Sequence, residues 1–151
     1  MVNFKTGEFT SKEFTFNQLT DIGTLKWKYT NQEIIQFGYH GKPGYTILLR
    51  GENVSNQFKA IDIYFDKYGL IYALRLIMLP EPGYDYASLG LRFGLVQYDR
   101  VCKYLAEKLG EPVRVGEDIQ YDLSWGRISV RKPDINQTDC YINVFYQPKD
   151  L

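Results

Sequence analysis

The sequence predicts an α+β domain: a mainly antiparallel sheet of about seven strands, two helices on one face, arranged as pseudo-duplicated αβββ halves. Three observations predict it. Apolar residues alternate at period two in several short runs, which is the spacing of half-buried strands. One longer segment carries its apolar residues at helical spacing. Residues 47–65 and 128–146 spell related strand–loop–strand units at a constant offset of 81. Ile47, Arg50 and Ile61 recur as Ile128, Arg131 and Ile142, while Leu49, Ile63, Tyr64 and Phe65 recur as Val130, Val144, Phe145 and Tyr146.

The 151 residues have the size of one domain, with the repeat covering about 15–65 and 96–146. Residues 1–10 are polar and Thr-rich without periodicity, the pattern of a tail or an edge strand. Thr15 and Gln18 have the spacing of a capping box, Phe16, Leu19 and Ile22 fall on one side, and Gly23 is a natural stop, so a short first helix is expected. Ile35, Phe37 and Tyr39 alternate, a Gly/Pro turn follows at residues 40–44, and Tyr45, Ile47 and Leu49 alternate again: a hairpin.

Beyond a polar loop, Ile61, Ile63 and Phe65 share one face of a strand, with Asp62 and Tyr64 on the other. A turn at residues 66–69 leads into 70–78, an almost continuous apolar run broken by Arg75, which fits a central strand covered on both faces. Residues 84–94 lack a period and read as a loop. Tyr98, Val101, Cys102, Leu105 and Leu109 then form the apolar stripe of a helix over about 96–109, ended by Gly110 and Pro112. Strands are expected at about 119–123, 125–131 and 140–146.

Composition narrows the function. Eighteen basic and eighteen acidic residues balance, so no global field draws the chain to nucleic acid or a membrane surface. No apolar stretch has the length of a membrane span, and residues 1–5 lack the apolar core of a signal peptide, so a reducing cytoplasm is the expected location. The 16% aromatic content, with Tyr 13, is high, and tyrosine suits both strand surfaces and protein contacts.

Catalytic signatures are missing from the readable patterns. His40 is the single histidine and sits in a Gly/Pro turn, which leaves no His pair for a metal. Gly41-Lys42-Pro43-Gly44 lacks phosphate-loop spacing. Cys102 lies mid-helix and Cys140 opens a strand, so both read as small buried hydrophobes. Glu81/Asp85 and Glu117/Asp118 fall in turns, where carboxylates serve solvation. No catalytic residue, metal or cofactor is therefore expected.

Binding is the better fit. Tyr84, Tyr86 and Arg92 crowd the loop after Met78, and tyrosine and arginine are enriched among interface anchors. Arg50 and Arg131 occupy matching ends of matching strands and are candidate cationic anchors, while Arg75 is expected to pair across strands with Asp62, Asp66 or Asp122. The sequence thus points to a non-enzymatic binding module of inhibitor or immunity type, which docks sterically on a protein partner by its exposed sheet face. The alternative is a small-molecule domain, with Trp27, Tyr72, Tyr104 and Trp125 lining a pocket between sheet and helix. An enzyme using Glu81, His40 or Cys102 ranks below both. Oligomeric state leaves no trace in the sequence.

Overall fold

The computed structural model describes residues 2–10, 15–24, 34–35, 42–50, 57–79, 93–135, 137 and 139–147. Three short strands, β1 (Val2–Asn3), β2 (Glu8–Thr10) and β3 (Thr15–Phe16), form a small sheet of their own. The main sheet has eight strands: β4 (Ile34–Ile35), β5 (Gly44–Arg50), β6 (Phe58–Asp66), β7 (Ile71–Met78), β8 (Val113–Val115), β9 (Asp118–Leu123), β10 (Gly126–Val130) and β11 (Ile142–Tyr146). Their spatial order is β4-β5-β6-β7-β11-β10-β9-β8, and every neighbouring pair is antiparallel. The helix α1 (Phe93–Leu109) is the one α-helix among the described residues.

Alternation decides which side of the main sheet is buried. The cross-strand register places Ile47, Ile63, Leu74, Val144, Ile128 and Tyr121 in one row, and Leu49, Ile61, Leu76, Ile142, Val130 and Ile119 in the next. Paired residues point to the same face, so both rows form one apolar surface. Tyr98, Val101 and Leu105 of α1 join these rows in a single core, as do Phe9 and Phe16 of the small sheet. Val101 and Leu105 are fully buried, each contributing on the order of 2 kcal/mol by transfer from water.

The strand expected over 70–78 is β7, and it lies at the middle of the sheet between β6 and β11. Gly110 ends α1 as predicted, with φ of 81° and its N–H donating to Ala106 O at 2.9 Å. The helix starts a turn earlier than its stripe suggested, at Phe93, because residues of that first turn carry no core-facing apolar period. Strands β3 and β8 are additional to the expected set, whereas β1 and β2 fall in residues 1–10, where a tail or an edge strand was expected.

The first helix does not form. Thr15 and Phe16 instead make β3, with Phe16 opposite Phe9. The Asn17 carboxamide accepts the Leu19 N–H at 2.7 Å, and the Thr20 hydroxyl accepts the Asn17 N–H at 2.9 Å. These local bonds compete with helical ones and fold the chain into a turn. Leu19 is left 61% exposed, so the apolar stripe never closes. A single 3-10 turn, Ile22–Thr24, follows, fixed by the Ile22 N–H on Gly69 O and the Ile71 N–H on Thr20 O.

The repeated units are the pairs β5–β6 and β10–β11, and they share a register. Ile47 opposite Ile63 and Leu49 opposite Ile61 answer, at the offset of 81, to Ile128 opposite Val144 and Val130 opposite Ile142. Both β6 and β11 run antiparallel to β7 and turn these side chains to the same face. Yet β5 and β10 lie on opposite sides of their partners, each away from β7. A rotation that lays β11 on β6 therefore carries β10 to the wrong side. The two units match in spelling and register, and the main sheet is not rotationally symmetric about them.

Candidate functional site

The other face of the main sheet is polar, and its rows run across the strands. One reads Leu48, Asp62, Arg75, Asn143, Ser129 and Gln120; the next reads Thr46, Tyr64, Ala73, Phe145, Arg127 and Asp122. Period-two alternation puts these residues there as surely as it buries their neighbours. Thr46, Asp62, Tyr64 and Ala73 are buried, so the accessible part of this face is Leu48, Arg75 and the stretch over β9–β11.

Asp62 is the centre of one cluster. Its side chain is only 3% exposed and stands between two guanidiniums. Arg75, directly opposite on β7, donates from Nε at 3.1 Å and from Nη2 at 2.9 Å to Oδ2, and Tyr64 Oη lies 3.4 Å from the same oxygen. Arg50 Nη2 is 2.6 Å from Oδ1. That second contact is an ion pair without hydrogen-bond alignment, so Oδ1 is buried with no hydrogen bond. The reason is visible in the Arg50 fork, whose Nη1 donates to the main-chain oxygens of Leu49 at 2.9 Å and Ile61 at 3.4 Å.

Arg75 is held from a second direction. Its guanidinium lies 4.4 Å from the centre of the Tyr141 ring, a cation–π contact. Burial works against its charge, but Tyr64, Asp62 and Tyr141 together keep its pKa above the ordinary value. An arginine clamped by a carboxylate and a ring presents its remaining edge in one orientation.

A second cluster lies toward β9. Arg127 Nε donates to Asp122 at 2.7 Å and Gln120 donates to the same carboxylate at 3.0 Å, which holds the Asp122 carboxyl below its ordinary pKa. Both members of this pair are about half exposed, so screening leaves it little weight in stability. Beside it a groove of about 480 Å³ is lined by Gln120, Ser129, Arg127, Phe145 and Gly126, among others. A further groove, about 570 Å³, lies along α1 between Met78, Asp99, Arg100, Lys103, Tyr104 and Glu107.

The structure brings Arg50 into the site, and it places Arg131 directly after β10, exposed and without an ion pair among the described residues. Tyr84, Tyr86 and Arg92 lie outside the described residues, as do His40, Glu81 and Trp27. Arg75 pairs with Asp62, the first of the partners expected for it. Three of the four aromatic residues of the alternative pocket, Tyr72, Tyr104 and Trp125, are among the described residues. The Tyr72 ring is 6.4 Å from that of Tyr64, which is buried. Phe4 meets both Tyr104 and Trp125, its ring 6.2 Å from that of Tyr104 and its oxygen accepting from Trp125 Nε1 at 2.9 Å.

Among the described residues no group of three His, Cys, Asp or Glu is placed to hold a metal ion. Cys102 and Cys140 are not disulfide-bonded, and burial raises the pKa of both thiols, opposite to the shift a nucleophile needs. No described helix is long and apolar enough to cross a membrane. Asp62, Arg75, Tyr141, Arg127 and Phe145 are members that sequence reasoning did not assign to a binding site; Arg75 was expected only to pair across strands. The alternation around Ile61 and Ile63 already turned Asp62 away from the core; what it could not supply was the register that sets Asp62 beside Arg75. Comparison with models of known families, with curated proteins and with solved structures finds no match.

Proposed function

We propose that the protein is a non-enzymatic binding module that docks on a protein partner through the polar face of its main sheet, occluding what it covers as an inhibitor or immunity-type protein does. The observation that carries this reading is Arg75, fixed by Asp62 and stacked on Tyr141. Arginine and tyrosine are the side chains most enriched at interface hot spots. A guanidinium already locked in place loses little freedom on binding, so more of its contact energy is kept as affinity. Arg50 shares the Asp62 carboxylate with it, Arg127 and the exposed Arg131 add donors on and after β10, and Leu48, 38% exposed, and the half-buried Phe145 supply apolar area. Tyr84, Tyr86 and Arg92 belong to the same proposal on sequence grounds.

The test is affinity capture from the cell of origin. The double variant Arg127→Glu/Arg131→Glu reverses charge on the proposed face, and Lys103→Glu reverses it on α1 as a control. Capture of one defined protein by the wild type and the control, with a loss of about tenfold or more in the double variant, is expected for rim charges acting together. Equal capture by all three rules out docking through this face.

A further inference from the structure

The Arg50–Asp62–Arg75 cluster is unbalanced, and the imbalance identifies what the partner brings. Two guanidiniums contact opposite oxygens of one carboxylate, at 2.6 Å and 2.9 Å. Among the described residues, two positive charges against one negative leave the cluster a charge of +1, in a chain whose total is +0. Asp62 is 97% buried by its 3% exposure, so it cannot serve a ligand directly; it acts as a fixed counter-ion that sets where the arginines stand. Arg75 spends Nε and Nη2 on Asp62, and among the described residues Nη1 has no hydrogen bond. Arg50 is 49% exposed and its Nη2 is poorly aligned on Oδ1. Both therefore keep donors for a further acceptor.

We infer that this cluster is a recognition site for one acidic side chain, Glu or Asp, of the docked partner, whose carboxylate is accepted by Arg50 and Arg75. The inference rests on the docking reading and gives its partner a chemistry. A single carboxylate neutralises the residual charge, whereas a phosphate dianion overshoots it. Guanidinium is also the cation whose planar fork matches a carboxylate. A nucleic-acid backbone is disfavoured because neither central row of this face carries a lysine, and phosphate tracking needs many cations. Asp62 is a positioning residue here, and Tyr141 backs the guanidinium of Arg75.

The experiment is a titration of the full chain followed by the NMR signal of the Arg75 Nε–H, with three probes: a blocked tetraglutamate peptide, its tetraglutamine counterpart and inorganic phosphate. Saturable movement of that signal is expected with tetraglutamate alone. Arg50→Gln, a half-exposed position that spares the fold, is expected to weaken the tetraglutamate affinity about tenfold, and Lys103→Gln to leave it unchanged. The inference is overturned if tetraglutamine acts equally, if phosphate moves the signal and tetraglutamate does not, or if Arg50→Gln binds as the wild type does. A silent titration beside partner capture that still depends on Arg127 and Arg131 overturns the carboxylate site while the docking reading stands.

Discussion

Exposure is unequal within the Asp62 cluster: 3% for the carboxylate, 33% and 49% for the arginines. That inequality decides which member the fold needs most. If Asp62 is neutralised, both guanidiniums can turn to water, and the loss is limited to the bonds they made. If Arg75 is removed, a buried carboxylate keeps only the misaligned contact from Arg50, and an under-compensated buried charge is the costly case. Arg75→Ala is therefore expected to lower unfolding stability by about 3 kcal/mol and Asp62→Asn by about 1 kcal/mol. Urea unfolding of the two variants checks this; the opposite ranking would show that the carboxylate, not its partner, is the costly loss. The same comparison separates stability from recognition, because Asp62→Asn should still disorder the arginines that the partner is proposed to meet.

The small N-terminal sheet closes one end of the core through main-chain oxygens. Trp125 Nε1 donates to Phe4 O and Tyr146 Oη donates to Gly7 O, each at 2.9 Å. Gly7 has φ of 75° and sits flat against the Trp125 indole, where a Cβ has no room. Gly110 has a similar φ of 81°, but a Cβ there meets nothing within 4 Å. Comparing alanine at the two positions isolates the packing cost from the backbone cost. Gly110→Ala is expected to cost about 1 kcal/mol, from the left-handed backbone alone. Gly7→Ala adds displacement of a buried indole and is expected to cost about 3 kcal/mol, with a red shift of tryptophan emission. Equal costs would mean that the indole yields freely and that the N-terminal sheet is not locked to it. These contacts also explain why the segment was unreadable in sequence. Strands of two and three residues carry no period, and β1 to β3 exist because Phe9 and Phe16 find the core, not because of local preference. The capping box at Thr15 misled for the converse reason: Thr15 pairs in β3, and the neighbouring side chains of Asn17 and Thr20 close a turn instead. By contrast β5 to β7, β9 to β11 and α1 announce themselves, since each is long enough for alternation or a stripe to repeat. The site was readable residue by residue but not as rows, because a row is a property of register, and register is set by partners far along the chain.

At the scale of the whole molecule, one face of the sheet binds its protons tightly. Burial pushes the Cys140 thiol up from 9.0 to about 12 and the Tyr98 phenol up from 10.0 to about 12, and it raises Tyr104, Tyr121 and Tyr146 as well. The cause is common to all: an anion has no good place among Ile128, Val144 and Leu105. Several of these hydroxyls also donate to main-chain oxygens that tie elements together: Tyr98 to Glu117, Tyr121 to Gly110 and Tyr146 to Gly7. Deprotonation removes the donor as it creates the charge. In the fold these acids keep their protons at pH values where the unfolded chain has lost them. The unfolded state then binds fewer protons, so unfolding free energy falls as pH rises. The contribution is fully present below pH 9.0, begins to fade there through Cys140 and Cys102, fades faster from 10.0 as Tyr98 joins, and for Cys140 and Tyr98 is spent only above about 12. Each group contributes a slope of at most about 1.4 kcal/mol per pH unit. Urea unfolding between pH 7 and 11 should show a plateau followed by a decline that starts near pH 9. The double variant Cys102→Ala/Cys140→Ala, although less stable throughout, should delay the onset of the decline by about one pH unit, because both groups that titrate from pH 9.0 are gone. A wild-type curve flat to pH 11 would mean that water reaches these side chains and that the core beneath α1 is not sealed; an onset unmoved in the double variant would assign the first loss to a group other than the two thiols.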